Sequence, residues 1–228
     1  MLTVIIPTRN SPLVGDVIRE IQDAEHFPNA RNVFRPTILV AGYHSPAKTR
    51  IDTERLGGKF IDVLRKGKTA ALVDAVPYVD TPYCAMLDAD TTYPARYLRT
   101  ALRTLQMGSD VVIGYRKWRE DGSMSRMNVL GNAGLSMLAS VLYGYRVKDV
   151  CTGLWGFRTD VLRTFVLGSN GFQLEADLFA NAVLGKWKVA QIPIEYRAKP
   201  DYKKGKGGVG VEVGLKIGWY LVKRRFVK

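Results

Sequence analysis

Sulfur and imidazole are scarce in this chain. It has two cysteines, Cys84 and Cys151, and two histidines, His26 and His44, in 228 residues. So few thiols exclude a disulfide framework and point to a reducing, cytosolic setting. The histidines show no spacing suited to a zinc site. No stretch approaches the roughly 20 apolar residues that cross a bilayer, so any work at a membrane is expected at its surface. Met1-Leu2-Thr3-Val4-Ile5-Ile6-Pro7 reads as a first strand rather than a charged leader with a long apolar core. Negative charge is also short, with 21 acidic against 34 basic residues and a formal net charge of +13. That excess calls for an anionic partner: nucleic acid, an anionic membrane surface or a phosphorylated substrate. No RNA- or DNA-binding motif accompanies it, so nucleic acid is not among the expected partners.

What is present suffices for one large α/β domain with a real core, at 46% hydrophobic residues. Short apolar runs at Leu2–Ile6, Pro36–Val40, Phe60–Leu64, Tyr83–Leu87 and Asp110–Tyr115 read as strands. Between them Pro12–Ala24, Ser45–Leu56, Lys68–Val76 and Ala95–Met107 read as helices. This alternation predicts a mostly parallel sheet with helices on both faces. Further on come a long helix over Ser125–Tyr143, a Gly-rich turn and strand over Cys151–Phe157, a helix over Gly171–Leu184 and a last strand over Val189–Tyr196. The expected division is a catalytic unit over 1–198, then a basic mobile loop and an amphipathic membrane-surface helix over 199–228. That helix sets Leu215, Trp219, Tyr220 and Val222 beside Lys216, Lys223, Arg224 and Arg225.

The chemical signal is Asp88-Ala89-Asp90, directly after an apolar strand. Alternate strand residues point the same way, so the two carboxylates present together at the strand's end. Ligands of open α/β sheets bind there. Two carboxylates form a hard, all-oxygen half-site for Mg²⁺ or Mn²⁺ that phosphate oxygens complete.

Several runs in this order resemble the family 2 glycosyltransferases, which have the GT-A fold. They are Val4-Ile5-Ile6-Pro7-Thr8-Arg9-Asn10, Lys66-Gly67-Lys68-Thr69-Ala70-Ala71-Leu72, Asp88-Ala89-Asp90 with Pro94, and Gly114-Tyr115-Arg116. Asp149 through Arg158, Gly171-Phe172-Gln173-Leu174-Glu175, and the Arg197–Lys206 segment complete the set. The subgroup most similar is the polyprenyl-phosphate sugar synthases, dolichol-phosphate mannose synthases among them. Three positions depart from that pattern. Val40-Ala41-Gly42-Tyr43-His44-Ser45 stands where Asp-Asp-Gly-Ser usually ends the second strand, Thr92 replaces a Gln, and Ser11 replaces a Glu.

The resemblance implies inverting transfer of a sugar from a nucleotide-diphosphate donor to a polyprenyl (dolichyl) phosphate. It would occur on the cytoplasmic face of the cell membrane, for glycan or protein glycosylation. GDP-mannose is the expected donor; the departed second-strand motif keeps a UDP-sugar, glucose or N-acetylglucosamine, as the alternative. Asp88, Asp90, Asp149 and Arg116 are the implied catalytic residues, with Asp88 and Asp90 on Mg²⁺ or Mn²⁺. Pro7, Thr8, Arg9, Asn10, Lys68, Ala89, Gln173 and Glu175 would join Asp88, Asp90 and Arg116 around the nucleotide sugar. Arg126, Arg197 and Lys206 would hold the acceptor phosphate. A nucleotidyltransferase also uses paired carboxylates, but Pro7-Thr8-Arg9-Asn10-Ser11-Pro12 lacks the glycine loop such enzymes carry after their first strand.

Overall fold

The structure is a computed structural model and describes residues 1–24, 34–169, 171–199 and 210–227. Among these, seven strands form one sheet: β1 (Leu2–Thr8), β2 (Thr37–Tyr43), β3 (Lys59–Val63), β4 (Tyr83–Met86), β5 (Val111–Arg119), β6 (Trp155–Arg158) and β7 (Val189–Tyr196). Their order is β3-β2-β1-β4-β6-β5-β7. All run parallel except β6, which is antiparallel to both β4 and β5. The helices are α1 (Val14–Asp23), α2 (Ala47–Arg55), α3 (Lys68–Ala75), α4 (Tyr97–Gln106), α5 (Arg126–Tyr143), α6 (Thr159–Leu162), α7 (Leu174–Leu184) and α8 (Val211–Phe226). The mostly parallel, helix-flanked sheet expected from the sequence is therefore present.

The strand period of two divides the core. Leu2, Val4 and Ile6 of β1 face a cluster with Val14, Val17, Ile18 and Ile21 of α1 and Leu98 and Leu105 of α4. Ile5 faces the other way, into a cluster with α3, α5, α7 and α8. Both faces of β1 are covered, which is why its sequence is continuously apolar. Fully burying one such side chain contributes about 1.5–3 kcal/mol. Strand order reverses between β1 and β4, and the crevice beyond their carboxyl ends is where a doubly wound sheet receives ligands.

The long helix α5 is inside out. Its N-cap is Ser125, whose side chain accepts from the Asn128 N–H, and it stops at Gly144 in the left-handed region. Its buried face carries Asn132, Ser136, Ala139 and Tyr143, while Met127, Leu130, Met137 and Val141 are 66–74% exposed. The polar inner face has a task. Ser136 Oγ accepts from the Val150 N–H at 3.1 Å and Ser140 Oγ from the Val147 N–H at 3.0 Å. These bonds pin the loop that carries Asp149.

Helix α8 belongs to the same core through Ile217 and Leu221. The Tyr143 hydroxyl donates to the Leu221 carbonyl at 3.0 Å. Tyr220, expected on the outer apolar side, instead packs against the core, and only Trp219 of that pair is exposed. Arg224 donates through Nε to Asp177 Oδ1 at 3.1 Å and through Nη2 to the Val166 carbonyl at 2.7 Å. It is thus an internal anchor rather than a free surface cation. Asp177 is fully buried and also accepts from the Gly168 and Ser169 N–H groups and Asn181 Nδ2. Arg224→Ala is expected to cost about 2 kcal/mol. That is less than the usual penalty for breaking a buried pair, because Asp177 keeps its other donors and Arg224 is part-exposed. Urea unfolding of the variant measures it.

Candidate active site

The chain leaves β4 through Leu87 into Asp88 and Asp90. Between them and Thr92, Thr91 adopts φ 60°, a left-handed turn residue. The turn lets Asp90 Oδ1 accept from the Thr92 hydroxyl at 2.6 Å and from its N–H at 3.3 Å. Thr92, which stands where the resembling synthases have Gln, is buried and orients Asp90. Ser11 Oγ donates to the Ala89 carbonyl at 2.6 Å, tying the end of β1 to the same turn. Gly153 lies beneath Asp88: a Cβ there would collide with Asp88 Oδ2 and come within 2.8 Å of the Tyr93 ring. The Gly153 N–H donates to the Tyr93 hydroxyl at 2.8 Å.

Two lysines sit on the carboxylates. Lys68 opens α3 after Gly67, whose φ of 125° suits only glycine. Its Nζ is 2.5 Å from Asp88 Oδ1 and 2.5 Å from Glu175 Oε1 on α7. Burial opposes the charge on Lys68, but Asp88 and Glu175 outweigh it and hold the ammonium above its usual range. Lys199 Nζ is 2.6 Å from Asp90 Oδ2. Burial, with Asp90 and Glu175 close by, pushes the Asp88 carboxyl up against the pull of Lys68.

Behind the carboxylates lies a second, buried pair. Arg116, at the carboxyl half of β5, donates through Nε to Asp149 Oδ2 at 2.6 Å and through Nη2 to Oδ1 at 2.7 Å. Asp149 further accepts from the Arg116 N–H at 3.2 Å, Asn132 Nδ2 at 3.0 Å and the Cys151 N–H at 3.3 Å. The pair is nearly sealed, at 7% and 2% exposure. The guanidinium lies over the Tyr196 ring, 5.1 Å from its centroid. Burial pushes the Cys84 and Cys151 thiols up to about 12, away from the range of a readily formed thiolate.

A cleft of about 1750 Å³ gathers much of the expected set: Pro7, Thr8, Arg9, Lys68, Asp88, Ala89, Asp90, Arg116 and Glu175 all line it. It continues from them between α5 and α8, over Gly131, Gly134, Leu135, Leu138, Gly214 and Gly218. Among the described residues, Thr8 Oγ1 and Asn132 Oδ1 are buried without a hydrogen-bond partner, and both residues line the cleft.

Other expected site residues lie elsewhere. Asn10, at φ 54°, turns into a small separate cleft against α1 and α2. Gln173 donates through Nε2 to the Lys216 carbonyl of α8 at 3.2 Å and does not line the main cleft. Arg126 is an exposed first residue of α5, outside the lining. Arg197 turns away to Glu20, with Nη1 at 2.9 Å. Asp149 is Arg116's partner and does not reach the cleft. Lys206 falls outside the described residues. Lys199, Tyr93, Tyr196 and Asn132 were not singled out from the sequence. Only Lys199 left a trace there, as a cation just beyond the last strand.

The donor chemistry fits Mg²⁺ or Mn²⁺. Asp88 and Asp90 offer hard oxygens, the missing Cβ of Gly153 is what lets the Asp88 carboxylate sit where it does, and Asp88, Asp90 and Glu175 crowd negative charge together. Among the described residues no group of three or more His, Cys, Asp or Glu side chains forms a closed metal site.

The sequence matches the family described as Glycosyl transferase family 2 over residues 3–165. It is 32% identical over 169 residues to a dolichyl-phosphate hexose transferase of Haloferax volcanii, covering 74% of this chain and 72% of that one. It is 29% identical over 201 residues to glycosyltransferase AglJ of the same organism, covering 87% of this chain and 63% of that protein. Glucosyl-3-phosphoglycerate synthase from Mycobacterium tuberculosis, solved with Mn²⁺, UDP-glucose and phosphoglyceric acid, shares the fold. Its TM-score is 0.73 at 16% identity, over 100% of this chain and 80% of that one. The same enzyme with Mn²⁺, UDP and glucosyl-3-phosphoglycerate superposes with TM-score 0.70 at 15% identity, over 98% and 78% of the chains. With the matched residues spanning most of the sheet and the carboxylate turn at its switch point, this chain belongs to glycosyl transferase family 2.

Proposed function

We propose that this protein transfers a hexose from a nucleotide-diphosphate sugar to a polyprenyl phosphate of the dolichyl type at a membrane surface. The observation that carries this reading is the continuity of the cleft, from Asp88 and Asp90 to an apolar groove between α5 and α8. Its volume of about 1750 Å³ exceeds the roughly 300–1,000 Å³ of an ordinary small-ligand pocket. There is room for a nucleotide sugar and the head of a second, greasy substrate. The name of the Haloferax volcanii relative, a dolichyl-phosphate hexose transferase, supports the same acceptor.

The groove opens onto an apolar surface. Val211, Leu215, Trp219 and Phe226 of α8 are 67–72% exposed and flank it with the outer residues of α5. A contiguous apolar band beside exposed cations such as Lys223 suits an interfacial position. Each such cation near anionic headgroups adds about 1 kcal/mol. Among the described residues no helix is long and apolar enough to cross a membrane.

The chemistry follows from the groups in place. Asp88 and Asp90 would hold a divalent cation, which when bound would supply positive charge opposite the leaving diphosphate. Lys68, at the start of α3, presents its ammonium and the helix's first N–H groups to phosphate oxygens. Arg116 keeps one terminal nitrogen beyond those engaged by Asp149, and it lines the cleft beside them. A lipid monophosphate has its second pKa near ~6, so it attacks as a dianion and requires no strong base. Direct displacement inverts the anomeric centre. GDP-mannose is the proposed donor. A UDP-hexose is the second reading, because Gly42-Tyr43-His44-Ser45 brings no carboxylate to the end of β2.

Calorimetric titration with GDP-mannose, UDP-glucose and UDP-N-acetylglucosamine, in Mn²⁺ and then in EDTA, tests this. One donor is expected to bind only with metal, and Asp90→Ala to abolish it. Failure of every donor to bind, with polyprenyl phosphate vesicles present, would sink the reading.

A further inference from the structure

The stem that carries Lys199 is held on both sides. The Arg197 N–H donates to the Thr92 carbonyl at 2.9 Å, and the Ala198 N–H donates to Glu120 Oε2 at 2.9 Å. Lys199 therefore leaves β7 at a fixed point on the rim of the cleft, and its side chain reaches Asp90 Oδ2. Asp90 Oδ1 is already taken by Thr92, so Lys199 sits on the oxygen left for a divalent cation. The two lysines of the site differ in one respect. Lys68 bridges Asp88 and Glu175, so it stays anchored when Asp88 turns to a cation. Lys199 has one carboxylate partner among the described residues, and its side chain is half exposed. An ammonium and a dication repel each other at one carboxylate oxygen, and the dication wins there.

We infer that Lys199 is an exchangeable counter-ion that becomes part of the acceptor site. Without metal it neutralises Asp90. When a cation and the donor diphosphate occupy the site, the ammonium is released but stays tethered to the pinned stem. There it meets the phosphate of the incoming acceptor. Metal and donor loading thus creates the cation that receives the second substrate, and the binding order is built into the site. This inference rests on the acceptor being a phosphate, as proposed above. It gives to Lys199 the role that the sequence suggested for Arg197, which is committed to Glu20.

The test is Lys199→Gln, with two readouts. The first is Mn²⁺ binding to the protein alone, followed by the electron paramagnetic resonance of the free ion. Without its competitor, Asp90 is expected to bind Mn²⁺ about 3–10-fold more tightly, the loss of one partly exposed charge contact. The second is the steady-state KM for polyprenyl phosphate in vesicles, expected to rise about tenfold or more while KM for the donor does not rise. Lys199→Arg is expected to restore acceptor KM in part. Unchanged Mn²⁺ affinity, or an unchanged acceptor KM, in a variant that still turns over would overturn the inference. If the wild-type protein turns over no donor at all, it is the proposed function that fails.

Discussion

Asp149→Ala is expected to lower the melting temperature by on the order of 10 °C and to reduce kcat/KM by about 100-fold. Both figures follow from the seal around the Arg116–Asp149 pair. Removing the carboxylate leaves a guanidinium at 7% exposure without its bidentate partner, and strands Asn132 Nδ2 and two backbone N–H groups. Breaking a buried pair in this way costs about 3–5 kcal/mol, and each kcal/mol moves the midpoint by about 2–4 °C in a domain of this size. The kinetic loss comes from an Arg116 no longer held in register with the cleft, where a misplacement near 1 Å costs about 100-fold. A double-mutant cycle with Arg116→Ala separates this orienting role from proton abstraction. Coupling above about 1.5 kcal/mol in stability is expected. Additive effects, with an alkaline-shifted pH profile in Asp149→Asn, would instead make Asp149 a general base.

Gly134→Leu is expected to leave donor binding intact and to cut turnover of a long-chain polyprenyl phosphate tenfold or more. Gly134 lies on the outward side of α5, and a Cβ there meets no atom within 4 Å, so the fold accepts the larger residue. Replacing a mid-helix glycine removes a backbone entropy cost of about 0.5–1 kcal/mol, so the melting temperature is expected to hold or rise. The new side chain fills the groove that Gly134, Gly214 and Gly218 keep open. Excluding two methylenes of the lipid, at about 0.8 kcal/mol each, accounts for the tenfold loss. A water-soluble, short-chain acceptor is expected to lose less. Equal losses for both acceptors would mean that the groove does not hold the chain.

Much of this was legible in the sequence because the signals were local. The strands from Leu2, Pro36, Phe60 and Tyr83 are apolar runs between turn residues, and each appears within a few residues of its expected bounds. The carboxylates Asp88 and Asp90 and the helix-opening Lys68 are fixed by their own element ends. The residues that moved are those whose place depends on a distant partner. Arg197 and Lys199 are two residues apart, and nothing between them reveals that Glu20 on α1 captures one and Asp90 the other. Arg224 follows buried Ile217 and Leu221 at helical spacing, which turns it inward and Lys223 outward, but nothing local reveals that buried Asp177 on α7 is its partner. Gln173 follows its motif in sequence but is drawn to the backbone of α8. The reversed β6 is hidden for a related reason: four residues, Trp155–Arg158, carry no sign of direction until β4 and β5 bracket them.

The inside-out construction of α5 sets how the two substrates are found. Under the function proposed above, a helix that wears Met127, Leu130, Met137 and Val141 outward would keep the cleft's greasy end in the plane where a lipid acceptor diffuses. The search for that acceptor would then run in two dimensions, while the water-borne sugar nucleotide would arrive from the third. Turnover is expected to follow the mole fraction of acceptor in the bilayer, and to fall when the same amount of acceptor is diluted with inert lipid at constant bulk concentration.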